Sequence, residues 1–111
     1  MAVDIMAAKA LLYRCASEYD AGLDRKAAHA RMSALKLFCT EMAWRTADQA
    51  IQIQGGHGYM MDNPAARHYT SVRAERIVEG TSEVQKVIIG GQIRKRGMQV
   101  YTGLMQTPER A

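Results

Sequence analysis

The stretch that decides the fold is residues 25–54, RKAAHARMSALKLFCTEMAWRTADQAIQIQ. Its apolar residues recur every three or four positions, which predicts one helix with an apolar face along most of its length. At 1.5 Å per residue this helix would be about 45 Å long. The positions predicted to face inward are Ala28, Met32, Leu35, Cys39, Met42, Ala43, Ala50 and Ile53.

Upstream of the long helix, residues 3–20 show the same spacing and predict a first helix. Its expected inward face is formed by Ile5, Ala8, Leu12, Cys15 and Tyr19. The segment DAGLD (20–24) between the two helices predicts a turn, with Gly22 as the stop signal and Asp24 as an N-cap. Eighteen residues cannot cover a helix of about 45 Å, so the long helix is expected to need further protein or another copy of the chain.

Downstream, GGHGYMMDNP (55–64) predicts a loop, because three glycines in four residues and Asn-Pro favour positive φ and turns. Residues 65–71 are expected to form a short helix. A last helix is predicted at about 81–96, capped by Ser82 in an S-x-x-Q capping box or by Thr81. Its expected inward residues are Val84, Val87, Ile88 and Gly91.

These segments predict an all-α fold of antiparallel helices, a partial bundle with three long helices. The helical domain is expected to span residues 1–97, and residues 98–111 are expected to form a loose tail. A four-helix bundle of the usual kind would require one more long helix.

Composition argues against several functional classes. The net charge is +4, but the basic residues are spread along the chain, and aromatic residues make up only 6%. A nucleic-acid binder would show a denser basic stripe with interleaved aromatics. The cluster at Arg94–Arg96 suits the C-terminal end of a helix dipole. No apolar run reaches the roughly 18 residues that a membrane span needs.

The metal-ligating residue types are scattered. Cys15 and Cys39 lie 24 positions apart inside helical patterns, and neither has a metal-ligand neighbour at CxxC or CxxxH spacing. We therefore expect reduced thiols in a protein core. His29, His57 and His68 show no HExxH or comparable spacing, so no metal site is expected.

Two short segments carry the functional signal, QIQGGHGY (52–59) and VEGTSE (78–83). Taken alone, each has an ordinary structural interpretation. A Gly-Gly pair after a helix is usually a C-cap, and a glutamate just before a helix interacts favourably with the helix dipole. The question is whether Glu79 only supports a helix or also takes a proton.

Taken together, the two segments resemble the C-terminal helical domain of the FAD-dependent acyl-CoA dehydrogenases. That family has a Q-[IV]-x-G-G-x-G-[YF] segment at the end of one helix and, about two dozen residues later, a segment similar to I-Y-E-G-T-[SN]-[EQD]-[IV]-Q. Here Gly56 and Glu79 are 23 positions apart, and Pro64 stands where the family has the proline of a P-V-E loop. The resemblance covers residues 3–97, and the family's first helix of this domain would precede them.

The resemblance implies a reaction. The family removes the proton α to the carbonyl of an acyl-CoA thioester and passes a hydride from the β carbon to flavin N5. Glu79 matches the family's base, a role that requires a poised carboxylate in a dry site. The developing enolate would be stabilised by the backbone N–H of Glu79 and a flavin ribityl hydroxyl. Val78 and Gly80 would line the substrate site.

The resemblance also implies how the cofactor is bound. Thr81, Ser82 and Glu83, at a helix N-terminus, match the family's flavin-contacting positions. The segment expected to reach the flavin of a neighbouring subunit consists of Gln52, Ile53, Gln54, Gly55 and Gly56. The complete enzyme would hold FAD, but this chain alone is not expected to retain it or to be active. No metal is implied.

The implied partners are an acyl-CoA substrate, an electron-transfer flavoprotein as acceptor, and further copies of the same chain. The implied location is the cytoplasm or the mitochondrial matrix.

Two departures from the family pattern stand out. Val78 replaces the usual tyrosine before the base, and Thr70 and Ser71 replace an Arg-Asp pair. The alternative interpretation is a non-catalytic helical module that self-associates or completes another subunit. A nucleic-acid binder is a third interpretation, for which no motif argues.

Overall fold

The computed structural model describes residues 1–103, and this part of the chain is helical without a strand. Six helices follow one another: α1 Ala2–Asp20, α2 Arg25–Gln54, α3 Gly56–Tyr59, α4 Pro64–Glu75, α5 Ser82–Arg96 and α6 Gln99–Thr102. The predicted all-α class and the bounds of the three long helices are confirmed. Within this part of the chain, no helix combines the length and apolarity needed to cross a bilayer.

The α2 helix is the common partner of the others. Its N-terminal half packs against α1, α5 and α6, and its C-terminal half packs against α3 and α4. The short turn at 21–24 folds α1 back along the start of α2, where Glu18 pairs with Arg31.

Contacts at both ends show that α4 and α5 run antiparallel to α2. Asn63 and Arg76, which flank α4, contact Gln54 and Glu41. Ser82 and Arg96, which begin and end α5, contact Glu41 and Asp24. As a result, α4 and α5 lie one after the other along α2, and the connection between them lies beside the middle of α2.

The helix ends follow local rules. Asp24 caps α2 by accepting a hydrogen bond from the Ala27 N–H at 3.2 Å, as predicted. Asn63 caps α4 by accepting from the Ala65 N–H at 2.8 Å, with Pro64 in the first turn. At α5 the cap is Thr81, whose Oγ1 accepts from the Val84 N–H at 3.2 Å. The Ser82 alternative was therefore wrong, because the Ser82 hydroxyl points to another helix.

The loop predictions were partly wrong. The segment predicted as loop at 55–64 contains the short helix α3, and the short helix predicted at 65–71 extends over Pro64–Glu75. The expected loose tail from residue 98 does not hold for residues 98–103, because α6 lies there and Val100 is only 5% exposed, packed against Ala27 and Ala30. Residues 104–111 of the predicted tail lie outside the described residues.

The buried core is made of small side chains. No large side chain in the described part of the chain is fully buried, and the buried apolar residues are Ala8, Cys15, Ala27, Ala28, Ala30, Leu35, Ala65, Ala66 and Val100. Both cysteines are free thiols, with Cys15 buried and Cys39 half-buried, and burial raises the pKa of each. Small residues allow the helices to approach closely, but they bury little apolar surface.

The predicted inward faces are only partly buried. On α1, Ala8 and Cys15 are buried, whereas Ile5, Leu12 and Tyr19 are exposed. On α2, Met32 and Ile53 are exposed. On α5, Val84 and Val87 are exposed and only Ile88 and Gly91 are half-buried. The periodicity indicated the apolar stripes, but α1, α4 and α5 each pack against one long helix, α2. The part of each stripe that does not face α2 therefore stays exposed.

Candidate active site

The connection between α4 and α5, residues 76–81, carries Glu79 and is called the α4–α5 loop below. Glu79 has φ +54° and is the one non-glycine residue with positive φ among residues 1–103. Gly80 follows with φ +88°. Two consecutive left-handed residues turn the chain sharply, and the first is a glutamate, for which this region is sterically unfavourable.

The Glu79 side chain is exposed, and within residues 1–103 its carboxylate has no hydrogen bond or ion-pair partner. The backbone N–H of Glu79 likewise donates to no carbonyl in this part of the chain, and the same holds for Gly80 and Thr81, whereas the N–H groups of Val78 and Ser82 do donate. Strained backbone with unused polar groups is common at sites that act on a ligand. The loop therefore presents a carboxylate and a donor from the same residue.

Lys36, in the first half of α2, holds the α4–α5 loop against that helix. Its Nζ donates to three backbone carbonyls, those of Glu75 at 2.7 Å, Val78 at 3.1 Å and Gly80 at 2.8 Å. The carbonyls of Val78 and Gly80 flank Glu79 on either side. Gln85 adds a weaker contact, because its Nε2 donates to the same Gly80 carbonyl at 3.3 Å.

Glu41, one and a half turns further along α2, fixes both ends of the loop. Its Oε1 accepts from Arg76 Nε at 2.8 Å and from Ser82 Oγ at 2.6 Å. The guanidinium of Arg76 also lies 4.8 Å from the ring centroid of Trp44, a cation–π contact. The hydrogen bond from Ser82 lowers the pKa of Glu41; burial opposes this, but Arg76 adds to it. Glu41 is therefore an ionised anchor.

The second predicted segment, Gln52–Gly56, closes α2. Gly55 has φ +61°, and a Cβ added to Gly55 or to Gly56 would meet nothing within 4 Å, so both glycines face open space. Ile53 is 74% exposed. The Gln54 side chain is engaged, because its Oε1 accepts from Asn63 Nδ2 at 2.8 Å and braces the following turn.

The structure does not bring the two predicted segments together. The α4–α5 loop lies beside Lys36 and Glu41, whereas Gln52 is at least eleven residues further along α2. At 1.5 Å per residue this separates them by about 17 Å along the helix axis. The two segments therefore cannot line one small pocket of a single copy.

The other predicted site residues lie around the loop in different environments. Val78 is 45% exposed and Gly80 is half-buried. Ser82 is 2% exposed with its hydroxyl turned toward Glu41, while Glu83 is exposed in the first turn of α5. The Ser82 hydroxyl is thus occupied, so a ligand at this helix N-terminus would find the Thr81 hydroxyl and backbone groups instead.

Sequence reasoning missed Lys36, Glu41 and Arg76. A signal existed for Lys36: it is four residues after Met32 and three before Cys39, so it falls on the stripe predicted to be apolar. A charged residue on such a stripe indicates an internal polar partner. The identity of that partner, 39 to 44 residues away, could not be inferred from local spacing.

Comparison with known proteins identifies the family to which the domain belongs. The model of the family described as "Acyl-CoA dehydrogenase, C-terminal domain" matches residues 1–93. The chain belongs to this family. The resemblance inferred from QIQGGHGY and VEGTSE is thereby confirmed for the domain as a whole.

Individual relatives agree with the family. Over 93 residues the chain is 39% identical to human mitochondrial short-chain specific acyl-CoA dehydrogenase, covering 84% of this chain and 22% of the relative. It is 38% identical over 94 residues to the cyclohexane-1-carbonyl-CoA dehydrogenase of Geobacter metallireducens, covering 85% and 24%. It is 39% identical over 95 residues to the 3-(aryl)acrylate reductase of Clostridium sporogenes, covering 86% and 24%.

A solved structure shares the architecture. A chain from a study of the electron transferring flavoprotein of Acidaminococcus fermentans and flavin-based electron bifurcation superposes with a TM-score of 0.76 and 30% sequence identity, over 86% of this chain and 24% of that chain. The 111 residues thus span about a quarter of the length of the relatives they match.

Proposed function

We propose that the chain acts as the base-bearing C-terminal domain of an FAD-dependent acyl-CoA dehydrogenase, which desaturates an acyl-CoA thioester between its α and β carbons. The observation that carries this proposal is Glu79. It occupies the E-G-T position of the family motif, its backbone is strained, and its carboxylate is free on an anchored loop.

The proposed role of Glu79 is to remove the α-proton. That proton is weakly acidic, so the base must be a carboxylate held close to it. The ionised pair formed by Glu41 and Arg76 and the three bonds from Lys36 hold the loop without engaging the Glu79 carboxylate. The free N–H of Glu79 supports a second role, donation to the thioester oxygen as negative charge develops there.

The residues are compatible with a flavin. The Gly55–Gly56 pair faces open space, so another molecule can approach its backbone closely. At α5, the Thr81 hydroxyl and the exposed Glu83 border the first turn. FAD, when bound, would accept the hydride from the substrate β carbon. We propose Thr81, the Ser82 backbone and Glu83 as its contacts near the base.

The separation of about 17 Å along α2 supports a different role for Gln52, Ile53, Gln54, Gly55 and Gly56. We propose that this segment reaches the flavin of a neighbouring copy, while the α4–α5 loop serves the flavin of its own. The exposed apolar side chains near it, Ile53, Tyr59, Met60 and Met61, support burial against another subunit. A homo-oligomer follows from this arrangement.

The substrate is proposed only as an acyl-CoA thioester, with Val78 and Gly80 beside its reacting carbons. The relatives carry names with short-chain, cyclohexane-carbonyl and aryl-acrylate groups, so the family accommodates different acyl groups. An electron-transfer flavoprotein is the proposed acceptor, supported by the structural neighbour. The cytoplasm or mitochondrial matrix is the proposed compartment.

The test of the base is Glu79→Gln in the flavin-loaded enzyme that contains this domain. We expect turnover to fall about 10²–10⁴-fold, with flavin retained, because the amide keeps the size of the side chain but cannot take the proton. Glu75→Gln, an exposed glutamate four residues before Glu79, is the matched control and should retain most activity. Full activity of the Glu79→Gln enzyme would refute the assignment.

The second candidate is a non-catalytic assembly module, which the thin core and the exposed apolar side chains favour. It predicts that Glu79→Gln alters stability alone.

Under either candidate, a polypeptide of these 111 residues is expected to be colourless, inactive and oligomeric. Its visible spectrum and native mass test these three expectations. A flavin spectrum with turnover would contradict inactivity, and a monomer at high concentration would contradict self-association.

A further inference from the structure

Lys36 uses all of its hydrogen-bonding capacity on one loop. An ammonium group has three N–H donors, and each of them meets a backbone carbonyl of residues 75–80, at 2.7, 3.1 and 2.8 Å. Lys36 is half-buried, and within residues 1–103 no carboxylate pairs with it. A lysine with an ordinary surface role would be hydrated or paired with an acid.

The three carbonyls are those that the turn at Glu79 leaves without helical partners. Glu75 ends α4, so its carbonyl cannot be satisfied within that helix. The carbonyls of Val78 and Gly80, on either side of the left-handed Glu79, both reach the same Lys36 nitrogen. A change of the Glu79 backbone angles would move these two carbonyls relative to each other, so the pair of hydrogen bonds constrains the turn between them.

The other contacts of the loop do not impose this conformation. Glu41 binds Arg76 and Ser82, which lie at the two ends of the loop and leave the backbone between them free. The Ser82 N–H donates to the Arg76 carbonyl at 3.0 Å, which also closes only the ends. Gln85 reaches a single carbonyl, that of Gly80. Among the described side chains, Lys36 is the one that bonds to the carbonyls directly before and directly after Glu79.

We propose that Lys36 is a positioning residue: its three hydrogen bonds hold Glu79 in the left-handed conformation and so fix where the carboxylate points. This rests on the proposed role of Glu79 as the base. The strain of a positive φ at glutamate persists only when the surroundings over-determine it, and the ammonium group supplies that constraint from a neighbouring helix.

NMR of the 111-residue chain tests whether Lys36 holds Glu79 in the left-handed conformation. Wild type should show the strong intraresidue Hα–HN contact of a positive-φ residue at Glu79. Lys36→Met keeps the aliphatic stem and removes the donors, so this signal should weaken and the shifts of Val78, Glu79 and Gly80 should change. Lys26→Met, an exposed lysine on the same helix, should leave them unchanged.

A second control separates local positioning from global stability. Arg31→Met removes a buried arginine that bonds Glu18 and the Val100 carbonyl, far from the loop. It should lower stability while keeping the Glu79 signal. If Lys36→Met does not fold, Lys36→Gln replaces it, because a side-chain amide has two N–H donors and cannot satisfy three carbonyls. An unchanged Glu79 signal in the folded Lys36 variant would overturn the proposal.

The functional part uses the flavin-loaded enzyme. Lys36→Met should lower kcat about 10–100-fold with little change in KM, because binding contacts remain while the base is misplaced. In the Glu79→Gln background the same change should cause no further loss. If Glu79→Gln is fully active, the base assignment fails; if Glu79→Gln is inactive but Lys36→Met retains wild-type kcat, only the positioning proposal fails.

Discussion

Glu79 keeps a backbone conformation that asparagine and glycine adopt more readily than glutamate. A left-handed residue with a Cβ costs about 1–2 kcal/mol, and within residues 1–103 the Glu79 side chain makes no hydrogen bond or ion pair that would offset this cost. An unfavourable backbone conformation of this kind is what we expect if Glu79 is retained for its proposed role as the base, at the expense of stability.

We expect Glu79→Asn to stabilise the isolated chain, because asparagine tolerates positive φ. We expect the free energy of unfolding to rise by about 0.5–1 kcal/mol, measured by urea denaturation followed by circular dichroism. Glu83→Asn is the control: this residue lies in the first turn of α5, where an acid is favourable, so stability should fall slightly. A loss of stability in Glu79→Asn would show that the loop is not strained.

The sequence was informative about residue identity and less so about conformation. The E-G-T segment indicated Glu79 as the candidate base, because a sequence motif consists of neighbouring residues. The positive φ and the role of Lys36 depend on residues 43 positions apart in the chain. Such contacts depend on how α2 and the α4–α5 loop pack, which local preferences do not encode.

At the scale of elements, the helix ends were predictable and the buried faces were not. Asp24 caps α2 because a side-chain oxygen beside the first free N–H groups is a local arrangement. Which side of α5 is buried depends on its neighbours, and so the predicted inward residues Val84 and Val87 are exposed. The choice between Thr81 and Ser82 likewise depended on Glu41, which attracts the serine hydroxyl.

The glycines around α3 have different roles, which a pair of substitutions distinguishes. A Cβ on Gly58 would lie 2.7 Å from Gln54 Cβ and 2.9 Å from the Ile51 carbonyl oxygen, whereas one on Gly56 would meet nothing. Gly58→Ala should destabilise the chain by about 1–3 kcal/mol. Gly56→Ala should leave stability unchanged or slightly raised.

Thermal and urea unfolding of the two variants provide the measurement. Equal losses of stability would contradict the packing role of Gly58. In the flavin-loaded enzyme the order should reverse, because the open backbone at Gly56 is proposed to face a ligand. A Gly56→Ala enzyme with normal flavin affinity would count against that contact.

For the whole molecule, two ionised glutamates link stability to pH. Burial opposes ionisation of Glu18, but hydrogen bonds from Arg31 and Arg14 outweigh it, so its pKa is lowered. The pKa of Glu41 is lowered by the Ser82 hydrogen bond and by Arg76, against burial. In the unfolded chain both residues return to the ordinary value of about 4.3. The unfolded state therefore binds protons first as the pH falls.

We expect the free energy of unfolding to be constant near neutrality and to fall as the pH drops below about 5 toward 3. Denaturation curves across this range provide the measurement. Ser82→Ala should flatten the dependence, because it removes the main cause of the lowered pKa of Glu41. Stability that stayed level down to pH 3 would contradict the ionised state of these two anchors.

Because α1, α4 and α5 contact α2 but not one another within residues 1–103, the chain should assemble around a single obligatory piece. Until α2 forms, none of the three has another long helix to dock on. Once α2 has formed, each can attach or detach without waiting for the others. Amide exchange should therefore separate into independent blocks, with α1 opening by itself and the middle of α2 exchanging last.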